Sequence, residues 1–155
     1  MRAPPAIVDL KAAVGSMLFG AVVNLMRQSE LHRRYTIADL DRLLVPPLAL
    51  GQHLAFQRNG ELVGWASWAM FGDFAQRAFE QETRPIVAAD WKSGPYLWLV
   101  DVIGHPDDGR ALARMLRSHL TAKAAAENWP VREARWLRRK PDGTVRRMGR
   151  LGRVA

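Results

Sequence analysis

Apolar residues recur at helical spacing near the start of the chain: Leu10, Val14, Met17, Leu18, Ala21, Val22, Leu25 and Met26, in a run that begins at Ile7. The spacing predicts a first helix, preceded by a frayed Met1–Pro5 and followed by a polar loop over Gln28–Arg34. Thr36, with Asp39 three residues on, has the form of a capping box for a helix over Ile37–Leu44. That helix is expected to stop at Pro46-Pro47, because proline lacks a donor and restricts the residue before it. Gln52–Arg58 and Glu61–Met70 read as a hairpin around Asn59-Gly60, a favoured two-residue turn, with Gly64 marking a bulge. Asp73–Glu82 is helical in spacing at Phe74, Ala78 and Phe79, and Trp91–Pro95 is a loop. Tyr96–Ile103 is an apolar strand interrupted by one charge, Asp101. After a turn at Gly104–Gly109, Arg110–Glu127 is a helix with Leu112, Met115, Leu116 and Leu120 on one face. Two strands, Val131–Arg138 and Thr144–Arg150, close the chain around Pro141-Asp142-Gly143. This element order predicts a mixed sheet with helices packed on it, an α/β fold of the α+β layer kind.

Composition narrows the picture. A chain of 155 residues fits a single domain over 1–155, large enough to bury a core without disulfides or structural metal. The absence of cysteine removes a disulfide framework, a thiolate zinc site and a cysteine nucleophile. No cluster of metal ligands and no Gly-rich phosphate loop is spaced on one element, so no metal is expected. The apolar run Ala12–Met26 is too short to span a bilayer, which takes ~20 apolar residues, and follows Asp9 and Lys11 without a cleavage-site pattern. It reads as a core helix, and the chain as cytoplasmic with no transmembrane segment. The net charge is +8, of which the segment 129–155 carries +7. A positive field concentrated at one end suits an acidic partner: a carrier protein, an anionic membrane or nucleic acid.

Asp101 is the most informative single residue, because a carboxylate inside an apolar strand is costly without a partner. From the residues alone it stands either as a structural ion-pair member or as part of a site. His32 lies in a polar loop, where a histidine is either solvated or a general base, and Ser29 sits three residues earlier. His53, His105 and His119 read as surface or packing residues. Six tryptophans are many for this length. Trp65, Trp68 and Trp98 are expected in the core, and Trp91 beside an acyl-chain cleft. Trp129 and Trp136 lie among the tail arginines, an arrangement that can also stack on single-stranded nucleic acid.

Two blocks point the same way. Ser29-Glu30-Leu31-His32-Arg33 followed by Tyr35, and Trp91-Lys92-Ser93-Gly94 with Trp98-Leu99-Val100-Asp101, resemble the RTX toxin-activating lysine acyltransferases. Val63–Ala69 resembles the central hairpin strand of that family, and the likeness runs from about Leu18 to Ile103. It implies a GNAT-like mixed central sheet flanked by helices. It also implies transfer of a fatty acyl group from acyl-acyl carrier protein to an internal lysine of an RTX-type protoxin. By the same resemblance His32 is the catalytic histidine, Asp101 its acidic partner and Ser29 an auxiliary polar residue. No cofactor is then bound permanently: the donor substrate is acyl-phosphopantetheine on the carrier protein. Partners are that carrier and the RTX-type acceptor, with a homodimer also implied and nucleic acid not expected.

Acyl transfer fits these residues. A lysine ammonium must lose a proton before its nitrogen attacks a thioester, and His32 can take one as Asp101 holds the ring in one tautomer. Backbone amides near Gly104–Gly109 are candidate oxyanion donors, and His32 could instead carry the acyl group itself. Two rival classes are a GNAT-like enzyme using acyl-coenzyme A on a small amine and a non-catalytic basic module for nucleic acid. The first lacks a recognisable pyrophosphate loop.

Overall fold

The structure, a computed structural model, describes residues 10–130 and 133–153, with side chains over 15–130 and 133–150. The expected frayed end at Met1–Pro5, the helix start at Ile7 and the strand start at Val131 lie outside the described residues. Five strands form one sheet in the order β1 (His53–Arg58), β2 (Glu61–Phe71), β3 (Tyr96–Gly104), β4 (Glu133–Arg139), β5 (Val145–Arg153). Neighbours are antiparallel except β3 and β4, which run parallel. A parallel pair needs a crossover, and α5 (Gly109–Ala126) provides it. With helices on both sheet faces, the expected mixed α/β, GNAT-like arrangement is the one observed.

The two faces carry separate cores. On one, Leu112, Leu116 and Leu120 of α5 pack on Phe56, Trp68, Leu97 and Leu99. Their spacing of four places them on one stripe of the helix. Met115, expected in that stripe, is exposed. It lies three residues from Leu112 but one from Leu116, which takes the inward position. On the other face lie α1 (Leu10–Met26), α2 (Ile37–Leu43), α3 (Val45–Leu50) and α4 (Asp73–Gln81). Val22, Leu25 and Met26 of α1 pack with Leu40 and Leu44 on Trp65 and Ile103. Ala75 and Phe79 of α4 pack on Phe71, Trp91 and Trp98. Phe74, expected inside, is exposed and lies under the Arg84 guanidinium, 5.1 Å from ring centroid to carbon.

Local signals shape the elements. Thr36 and Asp39 form the expected capping box: Asp39 N–H donates to Thr36 Oγ1 at 3.1 Å and Thr36 N–H to Asp39 Oδ2 at 2.8 Å. Pro46 and Pro47 do not end the helical region. They sit in the first turn of α3, where a missing N–H leaves no hydrogen bond unmade. Asn59 (φ 52°) and Gly60 (φ 81°) both take the left-handed conformation of the expected hairpin turn. The bulge expected at Gly64 lies one residue earlier. Phe56 faces Gly64 and Gln57 faces Leu62, so Val63 is the extra residue.

The segment Trp91–Gly94 is a clamp. Trp91 is fully buried, donates from Nε1 to Arg42 O at 3.0 Å, and accepts at its carbonyl from Gln52 Nε2 at 3.1 Å. It therefore ties α2 to β1 and lines neither cavity described below. Gly94 presses against Gly72 so closely that a Cβ there would overlap the Gly72 backbone, which requires glycine. Asp90 anchors the turn. Its carboxylate accepts from Arg84 at 2.7 and 2.9 Å and from Val87 N–H at 2.9 Å.

The Arg84 hydrogen bonds hold the Asp90 carboxyl below its usual range, outweighing the opposing effect of burial. Because the shift is downward, the resulting stabilisation is complete above the ordinary Asp range and is lost as pH falls through the lowered value. Asp90→Asn should therefore lower the urea midpoint at pH 7 and flatten the dependence of that midpoint on pH on the acid side. Urea unfolding at a series of pH values measures both.

Candidate active site

His32 opens a short 3-10 turn, His32–Arg34, between α1 and α2, and is only 6% exposed. The polar loop expected here is thus partly folded inward. Asp101, also 6% exposed, comes from the middle of β3. His32 Nε2 lies 3.0 Å from Asp101 Oδ1, and His32 Nδ1 lies 2.7 Å from Ser29 Oγ. A carboxylate oxygen accepts, so Nε2 carries the ring hydrogen and Nδ1 is left to accept the Ser29 hydroxyl hydrogen. All three sequence-derived candidates therefore meet in one hydrogen-bonded series: Ser29, His32, Asp101.

A bulge in β3 makes this meeting possible. Along β2, side chains alternate regularly, with Ala66, Trp68 and Met70 toward α5. On β3, Leu99 pairs with Trp68 but Asp101 pairs with Ser67, so Val100 is an extra residue. Without it Asp101 would share the face of Leu99, beneath α5. The extra residue shifts the alternation and turns Asp101 to the face of Trp65 and Ile103, where α1 and the His32 turn lie. Ser67 supports the site from across the ladder, its Oγ accepting from Asp101 N–H at 3.3 Å.

Two more features escaped the sequence. Tyr35 donates its hydroxyl to Asp101 Oδ1 at 2.9 Å, and its ring lies 5.1 Å from that of His32. Burial first, and then the Asp101 charge, push the Tyr35 phenol far above its ordinary value, so it stays a donor. The available signal was its position three residues after His32, on one turn of the same loop. Asp101 Oδ2, by contrast, is buried without a hydrogen-bond partner among the described residues.

The strands β3 and β4 pair only at Trp98–Arg135 and Leu99–Trp136, then part. The gap is a cavity of about 480 Å³ lined by Leu99–Val102, by Trp136–Arg139, and by Leu112 and Leu116 of α5, with His32 and Asp101 at its wall. A second cavity of about 430 Å³ reaches Asp101 past Tyr35, between α2 and the Thr83–Ile86 segment. Three of the amides expected as oxyanion donors, those of Asp107, Asp108 and Gly109, are already used. Asp107 N–H bonds His105 Nδ1, Asp108 N–H bonds His105 O, and Gly109 N–H bonds Pro106 O, because the turn folds as a 3-10 helix. The other histidines are structural or peripheral, as expected. His53 stacks on Trp65 at 4.8 Å, His119 lies against Trp68 at 5.6 Å, and His105 is exposed. Among the described residues there is no group of His, Cys, Asp and Glu that could hold a metal ion, and no helix long and apolar enough to cross a membrane.

The model of the RTX toxin acyltransferase family matches residues 12–150, nearly the whole described chain. The chain belongs to this family. It is accordingly an acyltransferase, which displaces the reading as a non-catalytic module. The chain is 28% identical over 131 residues to the RTX-I toxin-activating lysine-acyltransferase of Actinobacillus pleuropneumoniae, covering 84% of this chain and 71% of the relative. It is 26% identical over 110 residues to a lysine-acyltransferase of Vibrio cholerae, covering 70% and 72%. It is 30% identical over 137 residues to a protein-lysine palmitoyltransferase of Bordetella bronchiseptica, covering 87% of this chain and 66% of the relative.

Deleting Val100 should close the bulge and return Asp101 to the α5 face. The expected cost is about 1–3 kcal/mol for a buried polar group stripped of its partners. In the folded variant, the His32 ring ¹⁵N shifts should lose the signature of an Nε2–H held by a carboxylate. NMR of wild type and variant checks this directly.

Proposed function

We propose that the chain moves a fatty acyl group from acyl-acyl carrier protein to an internal lysine of an RTX-type protoxin, with His32, Asp101 and Ser29 as its chemical group. The observation that carries this reading is the Ser29–His32–Asp101 series at 2.7 and 3.0 Å, of which His32 and Asp101 stand in the wall of the cleft between β3 and β4. The names of the relatives supply the acceptor class, since each of the three above is a lysine acyltransferase.

The cleft suits an acyl-phosphopantetheine arm. Leu99, Leu112, Leu116 and Trp136 offer apolar walls to the chain, and Arg138 offers a cation to the phosphate. The strand edges that part after Leu99 and Trp136 leave main-chain groups to receive the amides of the arm. Beyond the cleft, the exposed arginines of β5 present a positive surface to an acidic carrier.

The chemistry balances as follows. The lysine ammonium first releases one proton to solvent. Its nitrogen then attacks the thioester carbonyl; the N–C bond forms and the second proton passes through Ser29 Oγ to His32 Nδ1. Asp101 Oδ1, holding Nε2–H, stabilises the imidazolium and fixes the ring. The C–S bond breaks, and the departing thiolate takes the proton from His32. The products are an amide and the free phosphopantetheine thiol.

Acylation of a purified RTX-type protoxin, scored by mass spectrometry, tests the reading, with acyl-coenzyme A run in parallel as the competing donor. His32→Ala should lower the rate by at least about 10²–10⁴-fold, the usual scale of general acid–base catalysis. Asp101→Asn should also lose turnover in the folded protein, because the amide cannot support the imidazolium. Undiminished acylation by folded His32→Ala would sink the mechanism.

The carrier should dock on the arginines of β5. Arg146→Ala, Arg147→Ala and Arg150→Ala together should weaken acyl carrier protein binding about 3- to 10-fold at low salt, and the difference should shrink as salt screens it. Fluorescence titration across a salt series measures both effects, and equal binding at low salt would move the docking site elsewhere.

A further inference from the structure

We infer that Tyr35 is a positioning residue for the reaction, fixing the Asp101 carboxylate through its hydroxyl so that Oδ1 meets His32 Nε2. This rests on the acyl-transfer reading above and adds to it a residue that neither the catalytic series nor the family match assigns.

The geometry singles Tyr35 out. Among the described residues the Asp101 carboxylate has two partners, His32 Nε2 at 3.0 Å and the Tyr35 hydroxyl at 2.9 Å, and both use Oδ1. Oδ2 has none, so the carboxylate is not held from its far side. Ser67 bonds the Asp101 main-chain N–H and leaves the side chain free to turn. If Tyr35 did not hold Oδ1, the carboxylate could rotate about χ2, and the His32 bond alone would have to resist this. A buried carboxylate with one donor fewer also holds its charge less well.

The charged surroundings leave this task to Tyr35. Asp39 is paired with Arg42 of α2, Glu82 with Arg139 of β4, and Arg84 with Asp90. These groups other than Asp90, with Arg138 and His105, line the two cavities that reach Asp101. No arginine or lysine among the described residues forms an ion pair with Asp101 itself; its ion-pair contact is with His32. Tyr35 remains a neutral donor across the working pH range, because burial and the adjacent carboxylate both oppose its ionisation.

Tyr35→Phe keeps the ring and removes the hydroxyl. The variant should fold, keep its KM for acyl-acyl carrier protein and for the acceptor, and lose about 10- to 100-fold in kcat, the worth of a hydrogen bond to a charged group. Long-range ¹⁵N NMR of the His32 ring should show a mixture of tautomers where wild type shows Nε2–H alone. A purely structural Tyr35 would lower the melting temperature and leave the kcat of the folded variant and the tautomer unchanged, and that result would overturn the proposal. The NMR measurement needs no turnover. Failure of the wild-type enzyme to acylate, with the tautomer change still seen in Tyr35→Phe, would therefore count against the reaction and keep the positioning role.

Discussion

One extra residue in one strand organises this molecule. At Val100 the ladder between β2 and β3 takes up a bulge, and three consequences follow from that single insertion. The side-chain alternation of β3 shifts, so Asp101 faces the His32 turn and not α5. Pairing between β3 and β4 ends at Leu99, the residue before the bulge, and the two parallel strands part there. The parting opens the cleft whose wall carries His32 and Asp101. A bulge twists and bends a strand locally, and here the bend separates a packed lower half of the sheet from an open upper half. Chemistry and substrate access thus share one geometric cause.

The site is held at an energetic cost. His32 and Asp101 are both 6% exposed, and burying such a pair costs desolvation that its mutual attraction need not recover. Oδ2 of Asp101 adds a buried oxygen without a hydrogen-bond partner among the described residues. The compensation comes from the surrounding apolar layers: three buried clusters, including four fully buried tryptophans, frame the site on both faces of the sheet. The Trp91 clamp serves the same end. It ties α2 to the start of β1, and so holds the segment that carries Tyr35 near the sheet. Part of the resemblance to the family therefore rests on residues that build the scaffold, and part on residues that perform chemistry.

Charge is distributed with similar economy. Much of the positive excess lies in 129–155, yet part of it is engaged: Arg139 with Glu82, and Arg135 and Arg150 with Glu133. The exposed remainder on β5 is left to act at longer range. This separation keeps strong cations from pairing with Asp101 and competing with His32, and leaves a field outside to attract an acidic partner.

The sequence by itself determined what depends on near neighbours. Hydrophobic spacing set most elements to within a few residues, Asn59-Gly60 set the hairpin turn, and Thr36 with Asp39 set a helix start. The two blocks around His32 and Asp101 were legible as a pair because residue type and short-range order carry a family's chemistry. Helix faces were less legible. Met115 and Phe74 fit their periodicity and still face outward, since the partner surface decides which stripe is buried. The prolines at Pro46-Pro47 read as a stop and instead open a helix, because proline excludes a helix interior but suits a first turn. Only the tertiary structure decided the bulge at Val100, the face that Asp101 takes, the cleft beside it and the Tyr35 contact. Those features follow from register between strands and helices far apart in the chain. Strand alternation is local, but the position of an extra residue is fixed by the partner strand, and nothing in Leu97–Ile103 alone marks Val100 as that residue.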